Sequence, residues 1–316
     1  MILSVSDLTS GMMPDVMPGA MPIVVAREQF APAKVNLALH VTGQRADGYH
    51  LIESLAVFTR FGDRITIEPS ERDEFTVSGR YAPDVPGDES NLILRARDGL
   101  RALCSGSRAA PVAIALEKNL PVAAGIGGGS SDCAAVLRGL AAIWGVDAND
   151  PSLLHVGSAL GADLPMCLAA KPLVARGIGE ELSFVRDFPA LGLVLVNPDV
   201  AVSTPAVFSA LRRRDNDSLP PLPSRIDFHT LRNWLEITRN DLEDAAHSIE
   251  PSIGTAKAAL EKAGAGFARM SGSGATCFGL FETGNVAKRA AAAIRSRHPD
   301  WFVAATRSMP SEPGVS

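Results

Sequence analysis

The chain has 316 residues, 46% of them apolar and 21% charged, with a formal net charge of −5. That balance suits a soluble enzyme of one large or two medium domains, and a net-negative chain carries no general basic field for holding nucleic acid. Its four cysteines, Cys104, Cys133, Cys167 and Cys277, are widely spaced with no C-x-x-C pair, which argues against a zinc site or a disulfide framework and for free thiols in a reducing cytoplasm.

In chain order, the first 25 residues carry no lysine or arginine and include the Met-, Pro- and Gly-rich "GMMPDVMPGAMP". They fit neither a secretory signal nor a transit peptide, and residues 1–26 are expected to be a disordered extension. No segment reaches the roughly 20 apolar residues that a membrane span requires. "AKVNLALHV", "DRITIEP" and "EFTVSG" alternate like strands, and "NLILRARDGLRAL" reads as a helix. "PVAIALEKNL" is a further strand, with Val112, Ile114 and Leu116 on one face. A glycine-rich stretch, "LPVAAGIGGGSSDCAA", precedes a helical pattern of Ala134, Leu137, Leu140, Ala141 and Trp144, with Ser130, Ser131 and Asp132 as expected capping residues. "DPSLLHVGSALGADLP" predicts a helix from an Asp150 cap to about Gly161.

Strands resume in "KPLVARGIGEEL" and "LGLVLVNP". The polar, proline-rich "RRRDNDSLPPLPSRID" connects them to helices expected at about 227–245 and 250–263, with Arg212–Arg214 as a solvated surface loop. "MSGSGATCFGLF" is expected between a helix and an apolar strand, and the tail "SMPSEPGVS" is expected to be loose. The predicted class is α+β, with a domain boundary near residue 176 that gives units 27–176 and 177–316.

Strand, glycine loop and helix N-terminus together form an anion site. Orphan N–H groups and the positive end of the helix dipole point at the ligand, and glycines let the backbone approach it. No lysine follows the second glycine, so the stretch is not a P-loop, and the third position of a dinucleotide loop is Ser130. A phosphate cradle of a third kind remains.

Three stretches, "APAKVNLALHVTGQRADGYHLIESL", "LPVAAGIGGGSSDCAA" and "MSGSGATCFGLF", together resemble the GHMP kinase superfamily. "PAKVNL" followed by "GQRADGYH", with "GADLPMCL" and "STPAVF" in the expected order, is similar to the branch that phosphorylates a cytidyl-diphosphate-linked methylerythritol. The resemblance covers about residues 30–305. It implies an N-terminal ATP-binding α/β domain, a C-terminal ferredoxin-like domain and an active site in the cleft between them. Ile126 and Cys133 stand where the family more often has leucine and alanine.

The resemblance also implies roles. Asp163 of "GADLP" would be the general base, with Lys34 beside it holding it ionised and neutralising the transferring group. Without the resemblance, Asp163 reads as a helix cap and Lys34 as a strand lysine. Pro121, Gly125, Gly127, Gly128, Gly129, Ser130, Ser131 and Asp132 would cradle the ATP phosphates, with Ser130 as the candidate Mg²⁺ contact. Asn91 and Lys118 would lie near the adenine. Asn36, on the same strand face as Lys34, would bind the polyol. Tyr49 and Phe208 would flank the cytosine, with His50 reading its edge and Thr204 nearby. The implied cofactors are ATP and Mg²⁺ and the implied partner is a small-molecule acceptor, with no nucleic acid and no membrane. The alternatives are a GHMP kinase for another small alcohol, of homoserine or mevalonate type, and a catalytically silent ligand-binding protein on the same fold. A dinucleotide-dependent oxidoreductase ranks behind them.

Overall fold

The computed structural model describes residues 26–104, 109–147 and 150–311. All of the expected extension except Ala26 lies outside them. Strands β1 (Arg27–Gln44) and β2 (His50–Pro69) form one long antiparallel hairpin. "DRITIEP" is the far end of β2, which runs on through Leu51–Phe58, a stretch without clean alternation. Ala56 and Phe58 pack into one core while Leu55 and Val57 pack into another, so both faces are apolar.

β3 (Glu74–Ser78) runs parallel to β4 (Val112–Glu117), and β4 pairs with the far half of β2. β5 (Leu173–Arg176) pairs with the near half of β2, and β6 (Glu181–Phe184) with β5. Helices α1 (Leu92–Leu103), α2 (Gly128–Trp144), α3 (Pro151–Leu160) and α4 (Leu164–Ala169) cover one face of this sheet. Their core gathers Ile67, Leu100, Ile114, Leu137, Leu140 and Trp144. Asp150 caps α3 as expected, accepting from the Ser152 N–H.

The second sheet contains β7 (Gly192–Asn197), β8 (Phe267–Met270), β9 (Cys277–Phe281) and β10 (Phe302–Arg307) in the order β10-β7-β9-β8. With α8 (Ser252–Lys262) between β7 and β8, and α9 (Gly284–Arg297) between β9 and β10, this is the ferredoxin-like arrangement. The glycine turn of the second motif, residues 271–276, therefore lies inside a hairpin, between β8 and β9, because Phe267–Met270 already pairs as a strand. Along β7, Leu193 and Leu195 face the first sheet across a shared core, while Val194 and Val196 face the second sheet's helices. β1 enters three cores in turn: Ala31 in the first, Val35 and Leu37 between the sheets, Leu39 and Val41 in the last.

The remaining helices are α5 (Thr204–Ser209), α6 (Phe228–Glu236) and α7 (Glu243–Ile249). The helix expected over 227–245 is thus two, interrupted where the Asn240 side chain takes the Leu242 N–H for itself. The polar connection is not a free loop. Asn216 donates to the Val41 carbonyl through both its backbone and its side chain, Leu219 N–H donates to Glu53, and Trp234 Nε1 donates to the Pro221 carbonyl. Nor is the start of the C-terminal tail loose. Ser308 N–H donates to the Leu191 carbonyl, Met309 N–H to Phe58 and Ser311 N–H to Phe188, while the last residues of that stretch lie outside the described ones.

His40 of β1 is 1% exposed. Its Nε2 accepts from the Arg239 N–H at 3.2 Å, so Nδ1–H donates to the Asp217 carbonyl at 2.8 Å. Burial holds its pKa below the usual 6.5; Arg239 and Arg269 act in the same direction, while the Asp217 carbonyl and the Asp241 carboxylate oppose. A depressed histidine favours its neutral form in the fold, so its contribution is complete above pH 6.5 and is lost as pH falls below that value. Melting temperatures should therefore fall from pH 7 toward pH 5, and His40→Gln, although less stable, should show a shallower slope in that window. Equal slopes in the two proteins would remove His40 from the account.

Candidate active site

The free edge of β1 organises the site. Register shifts against β2 fall between Pro32 and Lys34 and between Asn36 and Ala38, and such bulges re-aim side chains. Lys34 N–H donates to the Ile126 carbonyl of the glycine loop, and Asn36 N–H to the Ser271 hydroxyl of the second glycine motif. Asp163, at the start of α4, makes no cap hydrogen bond. Its Oδ2 instead accepts from Lys34 Nζ at 2.6 Å, the lysine side chain 5% exposed and the aspartate 39%.

The glycine loop runs past this pair. A Cβ on Gly127 would lie 3.2 Å from Lys34 Cβ. Gly127, in the left-handed region, is the N-cap of α2 and offers no side-chain cap. Capping by Ser130, Ser131 or Asp132 is thus corrected: all three lie inside the helix. The N–H groups of the first turn remain available to an anion. Gly125 has φ +74°, and a Cβ there would stand 2.5 Å from the Ser271 carbonyl oxygen and 2.6 Å from the Gly274 nitrogen. The two glycine motifs therefore pack backbone against backbone, joined by hydrogen bonds from Ser271 Oγ to the Gly125 carbonyl and from Thr276 N–H to the Ala124 carbonyl.

The other expected residues are divided in their surroundings. Ser130 is half-buried in the first turn of α2. The Ser131 hydroxyl is buried and donates to the Pro32 carbonyl at 2.7 Å, so it is not directed at a phosphate. Asp132 is part of a buried cluster: Lys118 Nζ lies 2.5 Å from Asp132 Oδ2 and 2.6 Å from Asp63 Oδ2, all three residues at most 3% exposed. Burial pushes the Asp132 carboxyl up, Lys118 opposes this, and Asp63 adds to it. Burial alone would lower the Lys118 ammonium, but the two carboxylates hold it charged. Asn91 caps α1, accepting from the Ile93 N–H and donating to the Pro86 carbonyl. Pro121 is buried at the entry to the glycine loop.

Asn36 is 1% exposed and donates to the Ser54 hydroxyl, while its Oδ1 has no partner among the described residues. The Thr204 hydroxyl lies 2.7 Å from that of Ser273 in the second glycine motif. Phe208 stacks on His50, ring centroids 4.7 Å apart, and Tyr49 is 58% exposed. Two surface grooves, one beside Phe30 and Glu117 and one beside Arg212 and His247, lie away from Lys34 and Asp163.

Sequence reasoning missed three residues that shape this site. Asp63 shares Lys118. Ser271 ties the glycine motifs to β1. Asn240 donates to the carbonyls of Met270 and Gly272. For Asp63 the signal was a lone acid ahead of an apolar strand; Asn240 was hidden inside an expected helix.

The family models describe the two halves. The GHMP kinases N-terminal domain matches residues 91–171 and the GHMP kinases C-terminal domain matches residues 209–300. The 4-diphosphocytidyl-2-C-methyl-D-erythritol kinase of Mesorhizobium japonicum is 71% identical over 287 residues, covering 91% of this chain and 97% of the relative. The chain belongs to the 4-diphosphocytidyl-2-C-methyl-D-erythritol kinase family of GHMP kinases. A crystal structure of 4-(cytidine 5'-diphospho)-2C-methyl-D-erythritol kinase superposes with a TM-score of 0.74 at 35% identity, over 89% of this chain and 99% of that one. The homoserine kinase of Cytophaga hutchinsonii shares the fold, with a TM-score of 0.66 at 17% identity over 93% of this chain and 98% of that one. Membership of the GHMP kinases makes the protein an ATP-dependent kinase with the two-domain α+β fold, and its substrates are ATP and a small molecule. No helix among the described residues is long and apolar enough to cross a membrane.

Proposed function

We propose that the protein transfers the γ-phosphoryl group of ATP to the 2-hydroxyl of 4-diphosphocytidyl-2-C-methyl-D-erythritol, in the non-mevalonate route to isopentenyl diphosphate. The observation that carries this is the 2.6 Å contact between Lys34 and Asp163 beside the glycine loop, in a chain 71% identical to a kinase of that name. Asp163 accepts the hydroxyl proton as the phosphoryl group moves, and Lys34 neutralises charge on that group. The N–H groups at the start of α2 hold the ATP phosphates. Asn91 and the Lys118 segment bound the adenine, and Asn36, with its unpartnered Oδ1, binds the polyol.

Mg²⁺ fits this site as a cation carried by the nucleotide. Among the described residues no group of three or more His, Cys, Asp or Glu side chains could hold a metal, and with Ser131 bonded to Pro32 the Ser130 hydroxyl, in the first turn of α2, is the oxygen that would face the cation. A bound Mg²⁺ would neutralise phosphate charge. The pairing of β6 with β5 in the first sheet supports dividing the lobes at 185–191, a little beyond residue 176. Free cysteines support a cytoplasmic setting.

A coupled kinase assay comparing the cytidyl acceptor with homoserine and mevalonate tests the function. Preference for either of the others would replace this reading, and silence with all three would favour a binding protein. The base subsite is proposed at Tyr49, His50 and Phe208, with Thr204 on the same helix as Phe208. Tyr49 is open to solvent and so offers a stacking platform at little structural cost. Tyr49→Ala should raise KM for the cytidyl acceptor roughly 5- to 150-fold, leaving KM for ATP unchanged. The reverse pattern would mean that the two pockets are exchanged.

A further inference from the structure

The Arg212–Arg214 run divides its work. Arg213 pairs with Asp215 at the surface, its side chain 64% exposed. Arg214 is half-buried, and its Nε–H donates to Nε2 of His50 at 3.2 Å. A ring nitrogen that accepts a hydrogen bond carries no proton, so the neutral imidazole has its hydrogen on Nδ1. Burial and the adjacent Arg214 charge both hold His50 below its usual pKa, which keeps the ring neutral near pH 7. Phe208 covers one face of the ring. Nδ1–H has no partner among the described residues, so it is a donor available to a ligand.

A single donor is enough to tell two pyrimidines apart. N3 of cytosine is an acceptor, whereas N3 of uracil carries a hydrogen and would meet Nδ1–H donor to donor. We propose that Arg214 is a positioning residue that sets base specificity: by hydrogen-bonding Nε2 it fixes His50 as the Nδ1–H tautomer, and that donor selects cytosine over uracil. This rests on the base subsite proposed above. The opposite tautomer, with hydrogen on Nε2 and a bare Nδ1, would accept from the uracil N3–H and favour the wrong base. Discrimination then comes from repulsion as much as from attraction.

The test is Arg214→Met, with Arg214→Lys as the variant that can still donate to Nε2. Long-range ¹⁵N–¹H spectra, with His50 assigned through His50→Gln, should show Nδ1 protonated in the parent and in Arg214→Lys. In Arg214→Met the signal should move toward the Nε2–H form. The kcat/KM ratio of cytidyl over uridyl acceptor should fall roughly tenfold in Arg214→Met and recover in Arg214→Lys, with KM for ATP and the melting temperature unchanged. An unchanged tautomer in Arg214→Met, or a shifted tautomer with an unchanged ratio, overturns the role of Arg214 while leaving the base subsite standing. If the cytidyl acceptor leaves the His50 signals of the parent unmoved, the subsite itself is wrong and the proposal falls with it.

Discussion

Replacing Asp163 with asparagine is expected to lower kcat by about 10²–10⁴-fold, the usual range for losing a general base. The amide nearly matches the carboxylate in shape but is far too weak a base to take the hydroxyl proton. The Asp163 side chain accepts no cap hydrogen bond from α4, so the substitution should not loosen that helix. Its contact is with Lys34, which keeps a neutral oxygen as acceptor. ATP affinity should change little, because the N–H groups at the start of α2 belong to a separate element. Steady-state kinetics with direct measurement of ATP binding would check this. Near-normal turnover would reduce Asp163 to an ion-pair partner and move the search for the base elsewhere.

Lys118→Met should cost about 3–5 kcal/mol of stability, the range for leaving a buried charge without its partner. Folded domains hold about 5–15 kcal/mol in total, so the effect is large. Two carboxylates depend on this one ammonium. Asp63 would keep the N–H groups of Asn119 and Leu120, but Asp132 already has one oxygen without a partner among the described residues. Since burial and Asp63 already push the Asp132 carboxyl up, losing Lys118 drives it to take up a proton. The deficit should therefore shrink as pH is lowered, and adding Asp132→Asn should recover part of it. Urea midpoints of the three proteins at pH 7.5 and pH 5.5 would decide. A single variant within about 1 kcal/mol of the parent at both pH values would contradict the reading of the cluster as a buried ion triad.

Much of this site was legible in the sequence because its signals are local. Strand, glycine loop and helix follow one another over residues 112–144, and "GADLP" carries Asp163 a short step after a capped helix. Family resemblance supplied the pairing of Lys34 with Asp163, 129 residues apart, which periodicity could not give. What stayed illegible was long-range or two-sided. The first half of β2 is apolar on both faces, so the pattern of a half-buried strand is missing. Asp132 looked like a cap because the cluster it joins through Lys118 is completed by Asp63, far away in sequence. The break in the helix at Asn240 depends on carbonyls at Met270 and Gly272. "RRRDNDSLPP" has the composition of a loop, and nothing in it announces that Val41, Glu53 and His50 will hold it.

The course of β1 through three cores has a consequence for how the chain is made. A ribosome delivers the N-terminus first, at ~5–20 residues per second. Leu39 and Val41 leave it early, yet the buried cluster they belong to extends as far along the chain as Ile294 and Val303. For roughly 10–50 seconds the turn end of the first hairpin must wait with its apolar face uncovered, long after the helices over its open end have emerged. The first lobe cannot finish before the second has been translated, so stop codons anywhere before β10 should yield nascent chains that occupy chaperones or aggregate, and not a stable N-terminal half.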